Sequence, residues 1–525
     1  MVDTQLFQTS RGPLLPAADA CNHEGAPAYA LTPRHRLAQL AATGCLNGTF
    51  YASADAQLDA VLALAREVDP VFVAQTAIHS REAGHMKDMP ALLAAVLASR
   101  DVALLAKVFP RVIDSGRMLR NFVQIVRSGA TGRKSLGSRP KALIQRWLLD
   151  ASETQLLHAS VGTSPSLADV VKMVHPKPAE TWRAAWFAWL IGKSFDEAAL
   201  PPKTLAFERF KRALRDGDLS AELPDVPFQL LTSLALTREH WAAIARSGSW
   251  QMVRQNLNTF VRHDVFEVPG LIEDVAARLR DRDTIARARV LPYQLLAAFR
   301  STGADVPAPL RESLQDAMDA ALANVPAIDG RVVVCPDVSG SMASPVTGRR
   351  GSATSTVRCI DVAALVAAAL VKTNPATRVL PFEQDVVAVD LNPRDSVMTN
   401  AAKLAAIGGG GTNVSAPLAR LVDDGAAVDL VVIVSDNESW VDATRRGATE
   451  TMRCWQALKV RNPRAKLVCI DLQPYGTTQA LERDDVMNVG GFSDAVFDAV
   501  ASFASGTMDA DHWVGTIGAI ALDVQ

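Results

Sequence analysis

The spacing of apolar residues changes once along this chain, near Pro326, and that change limits the fold more than any other feature. From about Arg34 to Ala323 apolar residues recur at three- and four-residue intervals, as in LDAVLALA (58–65), MPALLAAVLA (89–98), RMLRNFVQIV (117–126), WRAAWFAWLI (182–191), LTSLALTREHWAAIA (231–245) and LPYQLLAAF (291–299). That is the period of one helix face, and the stretch predicts roughly a dozen helices. Pro and Gly punctuate it at Asp69-Pro70, Phe109-Pro110, His175-Pro176, Pro201-Pro202 and Val226-Pro227, where helices should start or stop. Helix pairs stacked as a HEAT-like solenoid would bury such stripes, although no repeat with a fixed consensus is visible. After Pro326 the pattern turns to short β-rich runs, RVVVC (331–335), VVAVDL (386–391), LVVIVS (430–435) and LVCIDL (467–472), separated by helical stretches such as IDVAALVAAALVKT (360–373). Strands that are apolar throughout and alternate with helices predict a parallel sheet covered on both faces. The expected architecture is an N-terminal extension (1–25), an all-α HEAT-like helical-repeat domain (26–327) and an α/β doubly wound domain (328–525).

Charge at first argues against nucleic acid, because 54 Lys+Arg against 56 Asp+Glu leave a net −2. Divided at Gly330, the balance becomes 17 Lys+Arg and 22 Asp+Glu in the second part, with 37 and 34 in the first. Charge this close to neutral names no partner by itself. No run of about 18 apolar residues spans a bilayer, and the start MVDTQLFQTSRGPLLPAADA lacks the basic and apolar regions of a signal peptide. A cytoplasmic protein without membrane association is the expectation. The six cysteines form no CxxC pair, which predicts reduced, mostly buried thiols rather than zinc ligands or disulfides.

The first β-rich run ends in Asp337-Val338-Ser339-Gly340-Ser341, a DxSxS motif at the carboxyl end of a core strand. In a doubly wound sheet, ligands bind at that edge. Gly408-Gly409-Gly410-Gly411-Thr412 delivers a hydroxyl from a glycine-rich turn, and Ser435-Asp436-Asn437-Glu438 follows the LVVIV strand at the same edge. Hydroxyl and carboxylate oxygens without Cys or His suit a hard cation, with Mg²⁺ favoured. Ser339, Ser341 and Thr412 would ligate directly or through water, and Asp337 and Asp436 would ligate or hold the bound waters. The blander alternative is that both serines cap the following helix. The insert SPVTGRRGSATST (344–356) is expected to be an exposed, flexible loop beside this site.

A second local bias lies in residues 107–146, which hold ten Lys/Arg and one acid, Asp114. A helix over 116–128 would line Met118, Leu119, Phe122, Val123 and Val126 on one face and Arg117, Arg120 and Arg127 on another. The glycine- and serine-rich loop that follows presents Arg133, Lys134, Arg139 and Lys141, able to approach a phosphate backbone closely. GATGRKS is not a nucleotide-binding P-loop, because its glycine and lysine are not adjacent. In the turn His175-Pro176-Lys177-Pro178, His175 could stack on a base and Lys177 could meet a phosphate. Trp182, Trp186 and Trp189, at i, i+4, i+7 spacing, are expected in the core.

An all-helical repeat region with one dense basic stretch, fused to an α/β domain with an intact DxSxS…T…D set, resembles the Ro autoantigen family, a TROVE domain followed by a von Willebrand factor A domain, whose bacterial members are called Rsr. The segments that carry the resemblance are GCLNGTFY (44–51), GRKSLGSRPKALIQRWL (132–148), LADVVKMVHPKP (167–178), LPYQLLAAF (291–299), VCPDVSGSM (334–342), GGGGTNVSAPL (408–418) and VSDNESW (434–440). The resemblance implies a metal-ion-dependent adhesion site in the A domain and helical repeats closed into a ring. It also implies a monomer that binds a small noncoding Y RNA on its basic outer surface and takes single-stranded 3′ ends of misfolded or precursor RNA into its hole. By position it carries RNA contact onto Arg133, Lys134, Arg139, Lys141 and His175; Arg117, Arg120 and Lys177 rest on charge. It further implies a noncatalytic role in RNA quality control and ribosomal RNA maturation beside polynucleotide phosphorylase or another exoribonuclease. The competing hypothesis is a metal-dependent protein-adhesion adaptor that partners a MoxR-type ATPase, in which the basic stretch is incidental.

Overall fold

The structure, a computed structural model, describes residues 8–9, 12–13, 15–44, 46–287, 292–322, 325–349, 351, 354–441, 447–508 and 511–523. Cys45, Leu291 of the LPYQLLAAF segment, and residues 350 and 352–353 of the 344–356 insert lie outside that set. The chain forms two units. One gathers Asp69–Thr284, Thr302–Ser313 and Ala521–Gln525, and the other Met1–Val68, Ile285–Ser301 and Leu314–Ile520.

The first unit is helical throughout, and its helices begin where the sequence supplies caps. Asp69 takes the amide of Phe72 at 3.0 Å to start Pro70–Glu82, and Asp101 takes those of Ala103 and Leu104 to start Val102–Val112. Pro110 falls inside this second helix rather than at a boundary, and the helix ends two residues later. The predicted helix over 116–128 is Gly116–Ser128, capped by Ser115 and closed by Gly129 in the left-handed conformation. Its predicted apolar face is buried, each residue at 1% exposure or less, with Phe122 edge-on to Phe109 at 5.4 Å. Truncating Phe122 to alanine would cost about 3–5 kcal/mol by the cavity it leaves. Of the three tryptophans expected in the core, Trp186 is fully buried and donates to the Thr204 hydroxyl at 3.1 Å. Trp182 and Trp189 are half-buried; the Arg183 guanidinium lies 4.3 Å over the Trp182 ring, and Trp189 donates to Glu208.

The second unit carries a five-stranded parallel sheet in the order Val486–Gly490, Lys466–Asp471, Leu430–Ser435, Val332–Pro336, Arg378–Val379. The three central strands are buried along almost their whole length, as continuous apolar runs require. VVAVDL (386–391) is not a strand. It lies half-exposed and folds back, with Val387 donating to Pro381 O, while the edge position goes to Arg378–Val379. The N-terminal segment packs on this sheet unit: Pro27–Ala30 pairs with Ala20–Cys21 on one side and Thr477–Thr478 on the other, and the His35 ring meets the Asn488 carbonyl at 2.8 Å. The insert after DxSxS is more restrained than a free loop. Val346 donates to Val357 O, both valines are buried, and Arg349 pairs with Gly48. Among the described cysteines all are free thiols, with Cys335, Cys359 and Cys469 buried, Cys454 half-buried and Cys21 exposed. No helix among the described residues is long and apolar enough to cross a membrane.

Candidate metal centre and nucleic-acid interface

Parallel strands end together, and here Pro336 and Val434 are in register, so Asp337 and Ser435 leave the sheet side by side. Asp337 Oδ1 takes the Ser339 amide at 2.8 Å and Oδ2 takes the Ser435 hydroxyl at 2.6 Å. Ser339 Oγ and Ser341 Oγ stand 3.3 Å apart. Neither caps a helix: the short Ser341–Ala343 turn has Gly340 at its N-cap and no side-chain cap. The glycine loop is tied to the same edge by Gly409 N donating to Val338 O and Gly340 N to Gly410 O. A side chain at Gly410 would run into the Glu383 carboxylate, which accepts its amide at 2.7 Å, and one at Gly411 would meet the Trp440 indole. Thr412 is thereby held beside the third loop, its carbonyl accepting from Trp440 N at 3.2 Å, while its hydroxyl makes no hydrogen bond among the described residues.

The structure therefore brings Asp337, Ser339, Ser341, Thr412 and Asp436 to one edge, each at 7% exposure or less. Burial pushes the Asp337 carboxyl up to about 6, and burial with the Asp337 charge beside it pushes Asp436 up to about 8. Glu438 and Asp471, also buried, are raised chiefly by desolvation, Asp471 with the charges of Asp436 and Glu438 added. Asp471 Oδ2 has no hydrogen-bond partner among the described residues. Two adjacent buried carboxylates without a cation are costly, and the available remedies are a proton or an ion. Among the described residues no three His, Cys, Asp or Glu side chains stand at metal-ligand spacing, so an ion here would draw on the hydroxyls as well. Such a donor set fits a hard divalent cation.

Sequence reasoning missed the wall of this edge. The N-terminal segment lies against it: His23 donates its amide to Glu438 at 2.7 Å, its ring lies 3.3 Å from the same carboxylate, and the Asn22 amide reaches Ser439 O. The His23 ring stacks on Tyr51 at 5.5 Å and meets Tyr475 edge-on at 5.0 Å. Both phenols are pushed above their usual range, first by burial, with Asp436 adding to it. More than 400 residues separate His23 from Glu438, and no local pattern links them.

The basic stretch belongs to the helical unit, which sorts its ten cations. Lys107 pairs with Asp523 at 2.8 Å, Arg111 with Glu82 at 2.7 Å and Arg146 with Asp150 at 3.3 Å. Arg120, among the predicted RNA contacts, directs its guanidinium to the carbonyls of Val161 and Pro165, and burial lowers its pKa. Arg133, another, donates to Ala98 O at 2.6 Å and Ser135 O at 3.1 Å. These two arginines hold the fold of their own loops, and Arg127 lies on Met173. Arg117, Lys134, Arg139 and Lys141 make no ion pair among the described residues; the first three are exposed and Lys141 half-exposed. The helix Leu167–Val174 packs on both Gly116–Ser128 and Ser138–Asp150 and ends in His175, left-handed at φ 52° and exposed, followed by exposed Lys177. Gln145 Nε2 fixes this turn by donating to Val174 O at 2.6 Å. The remaining predicted contacts thus sit on or beside three helices joined through Leu167–Val174, with Lys134 in the loop between the first two and His175 and Lys177 just past the last, whose exposed Lys172 is an addition the sequence reading did not single out.

Residues 331–504 match the family model of the Ro60 von Willebrand factor A domain. The chain is 24% identical over 523 residues to the RNA-binding protein RO60 of Deinococcus radiodurans, covering 92% of this chain and 95% of that protein. Its fold superposes on the crystal structure of the Deinococcus radiodurans RO (RSR) protein with a TM-score of 0.62 at 20% identity, covering 90% of this chain and all of the other.

Proposed function

Because the chain belongs to the Ro family, we propose that it is an RNA-binding protein whose helical unit holds RNA while its A domain supplies a divalent-metal site. The observation that carries this reading is the set of cations with no partner among the described residues, Arg117, Lys134, Arg139 and Lys141, on a unit that pairs three of the other six with acids and occupies three with carbonyls or Met173. Unpaired surface cations on packed helices and the loop between them suit a polyanion, since phosphate contacts supply affinity without reading sequence. The relative's printed name, an RNA-binding protein, agrees with this. A small noncoding Y-type RNA and the single-stranded 3′ ends of misfolded or precursor RNA are the ligands we assign, with the protein acting as a noncatalytic scaffold for an exoribonuclease such as polynucleotide phosphorylase.

Mg²⁺ at the A-domain edge would be held by Ser339, Ser341 and Thr412 with Asp337 and Asp436. It would supply an acceptor for a partner's carboxylate. Asp337 is oriented for this by Ser339 N and Ser435 Oγ, and the Tyr51–His23–Tyr475 group shields the flank of Glu438.

Affinity purification from native cells, with sequencing of RNA and identification of proteins that co-purify, tests this. Small structured RNAs are expected, and their loss in a Lys134→Glu/Arg139→Glu/Lys141→Glu variant. Recovery of an ATPase without RNA would favour the adhesion-adaptor reading instead.

A further inference from the structure

In the helical unit, well separated in sequence from the basic stretch, a cavity of about 650 Å³ is lined by Phe228, Leu236, Trp241, Asn256, Thr259, Arg262 and His263. That volume falls in the range of roughly 300–1,000 Å³ common to small-ligand sites. Trp241 is a core residue, 4% exposed, and packs edge-on to Phe228 and Phe260. His263 is exposed, yet its ring lies flat on the indole, 4.1 Å between centroids and 13° between planes. One imidazole face is therefore backed by a rigid aromatic, and the ring, exposed at the cavity wall, keeps its other face clear of the indole. Arg262 is exposed, and its guanidinium is steadied by the Thr259 hydroxyl at 3.0 Å, with no acidic partner among the described residues. Asn256 Nδ2 donates to Met252 O at 2.8 Å, leaving its Oδ1 as an acceptor. No acidic side chain lines the cavity.

A stacking platform, a hydrogen-bond acceptor for an exocyclic amine, and one cation form the set that recognises a single nucleotide of unpaired RNA. We propose that the Trp241–His263 cavity takes one nucleobase of a single-stranded RNA, preferably one that carries an exocyclic amine, such as adenine, over uracil: the base stacks on His263, its amine donates to Asn256 Oδ1, and Arg262 meets the adjoining phosphate. This rests on the RNA-binding reading above and adds a base-selective contact to it.

The test measures binding of labelled oligoadenylate and oligouridylate to the full chain. Wild-type protein should prefer oligoadenylate. His263→Ala should weaken oligoadenylate binding about tenfold, the loss of one stacked base, and oligouridylate binding less, while His263→Tyr, which keeps an aromatic face, should restore it. Arg262→Gln should weaken both equally. Thermal melts establish that these exposed-site variants fold. Unchanged oligoadenylate affinity in His263→Ala, or no rescue by tyrosine, would overturn the cavity assignment with RNA binding intact. Free adenosine monophosphate carries the same base and phosphate; tight binding of it alone would overturn the single-strand assignment. If wild-type protein bound neither oligonucleotide, the underlying RNA reading would fall, and this inference with it.

Discussion

The acidic edge of the A-domain unit and the basic stretch of the helical unit both gather like charges, and they handle them in opposite ways. At the edge, Asp337, Asp436, Glu438 and Asp471 are each 2% exposed or less, and among the described residues the basic side chain against them is His23, on Glu438. On the helices, six of ten cations already have partners inside the unit, and the four left over face water or lie half-exposed. Buried like charges call for a small ion that fits among oxygens; exposed like charges on braced helices call for an extended polyanion. The same sequence statistic, a run of one sign, thus points to different ligands according to burial.

The largest effect should come from reversing the exposed cations. Lys134→Glu/Arg139→Glu/Lys141→Glu is expected to lower RNA affinity by roughly 100- to 1,000-fold at low salt, because several phosphate contacts become repulsions, as read by fluorescence anisotropy. Removing a charge at the other pole should leave that affinity alone and act on stability. Saturating Mg²⁺ should stabilise the wild type by about 2.7 kcal/mol at a hundredfold excess over its dissociation constant. Chelation or Asp436→Ala should erase that gain, and an unchanged melting temperature in both would remove the metal from the comparison.

The A-domain unit has a titration of its own that must be separated from the ion. Burial lowers His35 to about 4, opposed by its hydrogen bond to Asn488 O. A lowered histidine favours the folded state above its unfolded value of about 6.5, and this is lost as pH falls toward 4. From pH 7 to pH 5 the stability advantage of wild type over His35→Gln in denaturant unfolding should therefore shrink by about 2 kcal/mol. The smallest effect distinguishes two arginines in one loop region. Arg133→Ala should destabilise by on the order of 1 kcal/mol, since Ala98 O loses its donor. Arg139→Ala should leave stability within about 0.5 kcal/mol of wild type and weaken RNA binding.

The sequence made the two architectures legible because period and burial agree: a 3.6-residue stripe predicted Gly116–Ser128 to the residue, and uninterrupted VVIV runs predicted the central strands. It misassigned VVAVDL because alternation looks like a strand whether or not an edge is free to receive it, and the two-residue Arg378–Val379 strand is too short to show a period. Motif spacing brought Asp337, Ser339, Ser341 and Asp436 to one edge, since they follow their strands directly, and Thr412 came from its glycine run rather than from a strand. His23, Tyr51 and Tyr475 escaped notice because their meeting is set by how the N-terminal segment packs. Likewise charge density marked the 107–146 stretch, while the partners that occupy Arg120, Arg133 and Lys107 come from carbonyls and an acid remote in sequence or invisible to it.

The central claim, that RNA is held by phosphate contacts to the unpaired cations of the helical unit, is most directly tested by titrating salt against RNA affinity. With four or five contacts at about 0.7 released ions each, log K should fall against log salt with a slope of about −3, and the triple charge reversal should remove about 2 of it. A slope near zero, or one the reversal leaves unchanged, would contradict the account.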